Sequence, residues 1–188
     1  MGLRVFIDGK LGFGYTSEFN PGTAKNFVKQ VIALARETAS DENNRLPSSE
    51  YTNKRNKAPD TYDREIDELG ADWKIKTAIE MEKTALAYDP RIKTIEEVGV
   101  GNFIAQNAIV NSLGLEDESQ STYIWLYCVP FAQDESGGQT DYWQDVQNYF
   151  SDLQNPAAVA VESAKRTLRM LGADKIPSAK MPVVFDPN

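Results

Sequence analysis

The sequence predicts an α+β protein: two antiparallel sheets, one a hairpin and the other a meander of about four strands, packed with three amphipathic helices in two subdomains. Three observations predict it. Apolar residues alternate with period two at the start of the chain and again between Ile92 and Val146, as half-buried strands do. Apolar residues recur at spacings of three and four in three other segments, two of them introduced by Asn-Pro. Between the first hairpin and helix and everything after them lies a polar stretch, Ser40 to Ala71, that follows neither period.

Leu3, Val5 and Ile7 alternate with Arg4, Phe6 and Asp8, and after Asp8-Gly9 the same spacing continues through Leu11, Phe13 and Tyr15. Asp-Gly between alternating strands is a tight-turn signal, so a β-hairpin is expected. Its first strand begins almost at Met1, which suggests a chain that enters a larger fold part-way. Asn20-Pro21 provides an N-cap and a proline at the first helical position, and Ala24, Phe27, Val28, Val31, Leu34 and Ala35 form one stripe, giving a helix over about Pro21 to Thr38. The hairpin-helix subdomain is thus placed at 1–40.

Residues 41–71 are expected to be a linker, because Leu46-Pro47-Ser48-Ser49 and Ala58-Pro59-Asp60 break any periodicity. The middle subdomain, 72–188, has the order helix, sheet, helix. Trp73 to Tyr88 is helical through Ile75, Ala78, Ile79, Ala85 and Leu86 and stops at Asp89-Pro90. Ile92 to Val98 and Phe103 to Val110 are expected strands flanking a turn at Gly99-Val100-Gly101-Asn102, with a further turn at Asn111-Ser112-Leu113-Gly114. Thr122 to Val129 is the strongest strand, and another is expected around Gln139 to Val146. Asn155-Pro156 opens the third helix through Ala157, Ala160, Val161, Ala164, Leu168 and Leu171, closed by Gly172. Val183-Val184-Phe185 has the pattern of a last strand leading onward.

The composition narrows the possible functions. With 188 residues, 41% apolar and 26% charged, the chain can bury a core without disulfides. A net charge of -8 opposes nucleic acid and anionic lipid. The basic run Lys54-Arg55-Asn56-Lys57 is offset by Glu50, Asp60, Asp63 and Glu65. No apolar run is long enough to span a bilayer, no signal peptide opens the chain, and Cys128 is the one cysteine, so the cytoplasm is the expected compartment. The chain has no histidine, the commonest general base and zinc ligand.

No catalytic, cofactor or metal residue is therefore assigned. Gly99-Val100-Gly101 lacks the third glycine and the following helix of a dinucleotide site. The carboxylates Glu96-Glu97, Glu116-Asp117-Glu118 and Asp134-Glu135 read as solvated charge, the first two on opposite faces of a strand and the others in turns. Tyr123, Trp125 and Tyr127 share one strand face, opposite Ile124, Leu126 and Cys128. They are the candidate peptide or partner surface; Cys128 is expected in the core.

Leu3-Arg4-Val5-Phe6-Ile7-Asp8-Gly9-Lys10-Leu11-Gly12-Phe13-Gly14-Tyr15-Thr16-Ser17, then Ala87-Tyr88-Asp89-Pro90-Arg91-Ile92, then Asn111-Ser112-Leu113-Gly114 resemble, in order, signatures of the TldD/PmbA family, once called modulators of DNA gyrase. Leu171-Gly172-Ala173 and Pro182-Val183-Val184-Phe185-Asp186-Pro187 are similar to the family's approach to its C-terminal domain, more on the PmbA (TldE) side than the TldD side. The resemblance implies a two-subunit metalloprotease in which a TldD-like subunit holds zinc on a His-Glu-x-x-x-His helix and the PmbA-like subunit lacks the metal.

No such motif occurs here. The resemblance therefore implies a non-catalytic front portion that makes a homodimer or a heterodimer with a TldD-like subunit, takes peptide substrates by strand addition, and carries no cofactor of its own. A stand-alone peptide- or protein-binding module and a carboxylate-based hydrolase are the alternatives.

Overall fold

The computed structural model describes residues 1–18, 20–48 and 59–185. They form two compact units, Met1–Ala58 with Ala108–Asp117, and Pro59–Asn107 with Glu118–Asn188. The basic run 54–57 and the Asp186-Pro187 pair lie outside the described residues.

In the first unit, strands β1 (Gly2–Ile7) and β2 (Lys10–Tyr15) pair antiparallel, Gly2 opposite Tyr15 and Ile7 opposite Lys10. Asp8 and Gly9 both take positive φ, 50° and 75°, the geometry that lets a two-residue turn follow the strand twist. Helix α1 (Pro21–Glu37) starts where the Asn20 side chain accepts from the Gly22 and Thr23 amides at 3.1 and 3.0 Å. Val31 and Ala35 of α1 are buried against the hairpin. Gly12 is what lets the helix approach: a Cβ there would stand 2.2 Å from the Val31 carbonyl oxygen.

The second unit begins with Asp60 to Asp63 pinned to the start of the central strand. The Asp63 amide donates to Thr122 Oγ1 at 2.8 Å, and Tyr149 donates its hydroxyl to the Asp60 carbonyl at 2.6 Å. Helices α2 (Arg64–Asp67) and α3 (Ala71–Tyr88) follow. Then come β3 (Ile92–Val110), β4 (Glu116–Asp134), β5 (Gly137–Thr140), β6 (Trp143–Gln147), a 3-10 turn at Phe150–Asp152 and α4 (Pro156–Arg169). The four strands make one sheet in which β4 is central, with β3 on one side and β5 and β6 end to end along the other.

Ile124, Leu126, Cys128, Pro130 and Ala132 of β4 are fully buried. Leu126 and Cys128 share a core with Met81 and Ala85 of α3 and Val159 and Ala160 of α4; Ala132 packs with Ile92 and Ala164. The buried stripe of α4, Val159, Ala160, Ser163, Ala164 and Thr167, is made of small residues, which suits a helix lying close on a sheet. At about 25 cal/mol per Å² of apolar area, each large residue in this cluster contributes about 1.5–3 kcal/mol.

The structure corrects three expectations. Gly99-Val100-Gly101-Asn102 is not a turn; it lies inside β3, one continuous strand of 19 residues. The expected strand Gln139 to Val146 is two strands, parted at Asp141-Tyr142. The cause lies opposite, where Pro130 of β4 has no N–H for a ladder bond, and its carbonyl is taken by the hydroxyls of Thr140 at 2.9 Å and Thr167 at 3.4 Å. Finally, Val183 to Phe185 belongs to no strand: it pairs with no neighbour among the described residues, and Val184 and Phe185 are 96% and 85% exposed.

Candidate functional site

Because side chains alternate across a strand, burying Ile124, Leu126 and Cys128 under α3 and α4 turns Tyr123, Trp125 and Tyr127 to the other face of β4. There all three are half-buried, as are Val129 and Phe131 further along. Phe103 of β3 stacks on Tyr123, ring centroids 4.6 Å apart and planes at 16°, and meets Trp125 at 5.9 Å. The rings lie where the neighbouring strands have no side chains. A Cβ on Gly99 would come 2.2 Å from the Tyr127 ring, one on Gly101 2.1 Å from Trp125, and one on Gly138 of β5 2.4 Å from Phe131. These glycines give the rings room to lie flat across the sheet, and the rings cover backbone that glycine leaves bare.

The rim of the face is half apolar and half polar. Phe103 and Val146, the latter opposite Trp125 in β6, are each 50% exposed. Gln144 stands opposite Tyr127. The Tyr127 hydroxyl donates to the Glu97 carboxylate, and that bond, with some burial, pushes the phenol above its ordinary 10.0. Thr140 donates to Glu96 at 3.3 Å. The two neighbouring carboxylates thus serve different partners. β3 pairs with β4 on one side and with no strand on its other side among the described residues, so the face ends at an open strand edge.

Elsewhere the candidate groups are structural. Burial pushes the Cys128 thiol up, with Ser163 as its hydrogen-bond partner inside the core. Asp134 accepts from the Ser136 hydroxyl and amide, which together hold its carboxyl below the usual 3.8 and close the β4 to β5 turn. Among the described residues no group of three or more His, Cys, Asp or Glu side chains is placed to hold a metal ion. With no imidazole in the chain, its donors do not fit a zinc centre of the peptidase kind.

Sequence reasoning missed Phe103, Gly99 and Gly101 as parts of this face. A signal was there: Gly-x-Gly-x-Phe at 99–103 and Tyr-x-Trp-x-Tyr at 123–127 have the same spacing, and read antiparallel they pair each glycine with a ring.

Residues 64–171, more than half of the chain, match the family described as PmbA/TldA metallopeptidase central domain. The chain is 27% identical over 188 residues to the metalloprotease PmbA of Escherichia coli O157:H7, covering 98% of this chain and 41% of that protein. It is similar to the crystal structure of a protein from Bacteroides thetaiotaomicron named as a modulator of DNA gyrase, with TM-score 0.80 and 29% identity over 93% of this chain and 40% of the other. It also shares its fold with TldE from Thermococcus kodakarensis, at TM-score 0.70 and 17% identity over 88% and 36% of the two chains. The chain thus spans about two fifths of the length of the curated relatives it matches. Among the described residues no helix is long and apolar enough to cross a membrane.

Proposed function

The chain belongs to the PmbA/TldD family of metallopeptidase-type proteins, and from that premise we propose that it is a supporting, non-catalytic part of a cytoplasmic peptidase assembly of PmbA-like type. It holds an extended peptide, and contacts a second subunit, through the aromatic face of β4 and the open edge of β3. The observation that carries this reading is the ring ladder on glycine beside an unpaired strand edge. Backbone groups of such an edge bind extended chains with little regard to sequence, and the face beside it supplies the apolar contact. Rings of this kind dominate interface energetics when partly buried.

Hydrolysis belongs to another part of the assembly. The zinc of the family would sit in a TldD-like catalytic subunit, met as the partner in a heterodimer; supporting this, the chain has no histidine and the described residues bring no three Cys, Asp or Glu side chains together to hold a metal. The curated relatives bear the name PmbA, in keeping with the PmbA-like side of the pair.

Titration of a fluorescent unfolded peptide against the chain and its Trp125→Ala variant tests the reading. Loss of the Trp125 ring is expected to weaken binding about tenfold. Equal affinity for the two proteins would remove the aromatic face from the binding site.

A further inference from the structure

The charge of this molecule is unevenly placed along its chain. Between Lys93 and Lys165 there is no lysine or arginine, while 11 of the 28 acidic residues fall in that stretch. The remaining 17 acidic residues are matched by all 20 cations, so the rest of the chain is slightly positive. The cation-free stretch contains β4, β5, β6 and all of β3 except Ile92 and Lys93. From Thr94 onward, therefore, the strands themselves carry no cation; those that reach the sheet come from the helices, Lys74 to Asn102 of β3 and Arg166 over the Trp143 ring of β6.

Two of the 11 acids are internal: Asp145 is buried and accepts from Gln154 and Gln147, and Asp141 pairs with Arg166 at 3.4 Å. Glu96 and Glu97 instead lie on β3, exposed beside the rings, and Asp134 and Glu135 stand at the β4 to β5 turn. Each of Glu96 and Glu97 accepts one described side-chain hydrogen bond, and a carboxylate can accept about four.

We propose that the aromatic face and open edge of β3 select extended peptides rich in arginine and lysine. This rests on the peptide-binding reading above and adds the class of peptide. In a strand laid along β3, every second side chain points to the ring face. A guanidinium there stacks over Tyr127 or Trp125 while its N–H groups reach Glu97, and ring and carboxylate both favour a cation. A glutamate in that position meets carboxylates of its own sign, and the strands beneath it carry no basic residue after Lys93.

Three labelled peptides of equal length and apolar content, carrying arginine and lysine, glutamine, or glutamate at alternate positions, test this by fluorescence anisotropy with the whole 188-residue chain. The cationic peptide is expected to bind about tenfold more tightly than the glutamine peptide at low salt, and the preference should shrink at about 0.3 M salt. The glutamate peptide should bind weakest. Glu96→Gln with Glu97→Gln should reduce the ratio of cationic-peptide to glutamine-peptide affinity several-fold, with circular dichroism verifying the fold. Equal binding of all three peptides would overturn charge selection and leave peptide binding standing. Absence of binding by any peptide would overturn both, and a preference that survives the double substitution would overturn the role given to these two glutamates.

Discussion

At the scale of single residues, the contact between Trp125 and Gly101 decides the character of the sheet face. The alternation that puts Tyr123, Trp125 and Tyr127 together is legible in the sequence, since period two has one meaning in a strand. The place of the glycines is not, because Gly-x-Gly signals a turn unless the ring lying over it is known. Gly101→Ala puts a methyl 2.1 Å from the Trp125 ring, so the ring has to swing off the sheet. We expect a loss of about 1–3 kcal/mol in urea denaturation together with a shift of tryptophan emission; an unchanged spectrum would mean that the ring does not rest there. Asp89 gives a pH dependence. Hydrogen bonds from the Arg91 side chain and amide hold its carboxyl down to about 2 from 3.8. A lowered folded-state value stabilises above the ordinary carboxylate range and is lost as pH falls from about 4 to about 2. The stability difference between the native chain and Asp89→Asn should accordingly narrow over that interval, measured by thermal melts at stepped pH.

At the scale of elements, the helices were readable because their ends are written locally. Asn20-Pro21 and Asn155-Pro156 cap and start α1 and α4 by bonds within three residues. Strand limits depend on what lies opposite. The parting of β5 from β6 follows from Pro130 on the strand opposite, and Val183 to Phe185 forms no strand because nothing among the described residues pairs with it. Thr167 is the tie at the parting: its buried hydroxyl lies 3.4 Å from the Pro130 carbonyl, 3.2 Å from that of Asp141 and 3.0 Å from that of Ser163. Thr167→Val keeps the shape and removes the donor, so we expect a loss of about 1–2 kcal/mol by urea denaturation. No loss would show that other contacts hold β5, β6 and α4 together.

At the scale of the whole molecule, the order of family signatures along the chain was legible, whereas the ring face required two strands to be brought side by side. The charge segregation could have been counted from the sequence, but it gains meaning only once the cation-free stretch proves to be the sheet. Ion pairs such as Arg64–Glu68 are exposed and contribute little, so like-charge repulsion should dominate the salt response. We expect Tm to rise by a few degrees between about 0.02 and 0.2 M sodium chloride; a fall would show attractive pairs in control. The glycine-seated rings have one more consequence. Tyr123, Trp125 and Tyr127 repeat every second residue, about 6.7 Å, which is also the stride of any extended chain laid beside them. A guest moved along by one stride finds nearly the same footing, so such a plate can let a polypeptide creep lengthwise without first letting go.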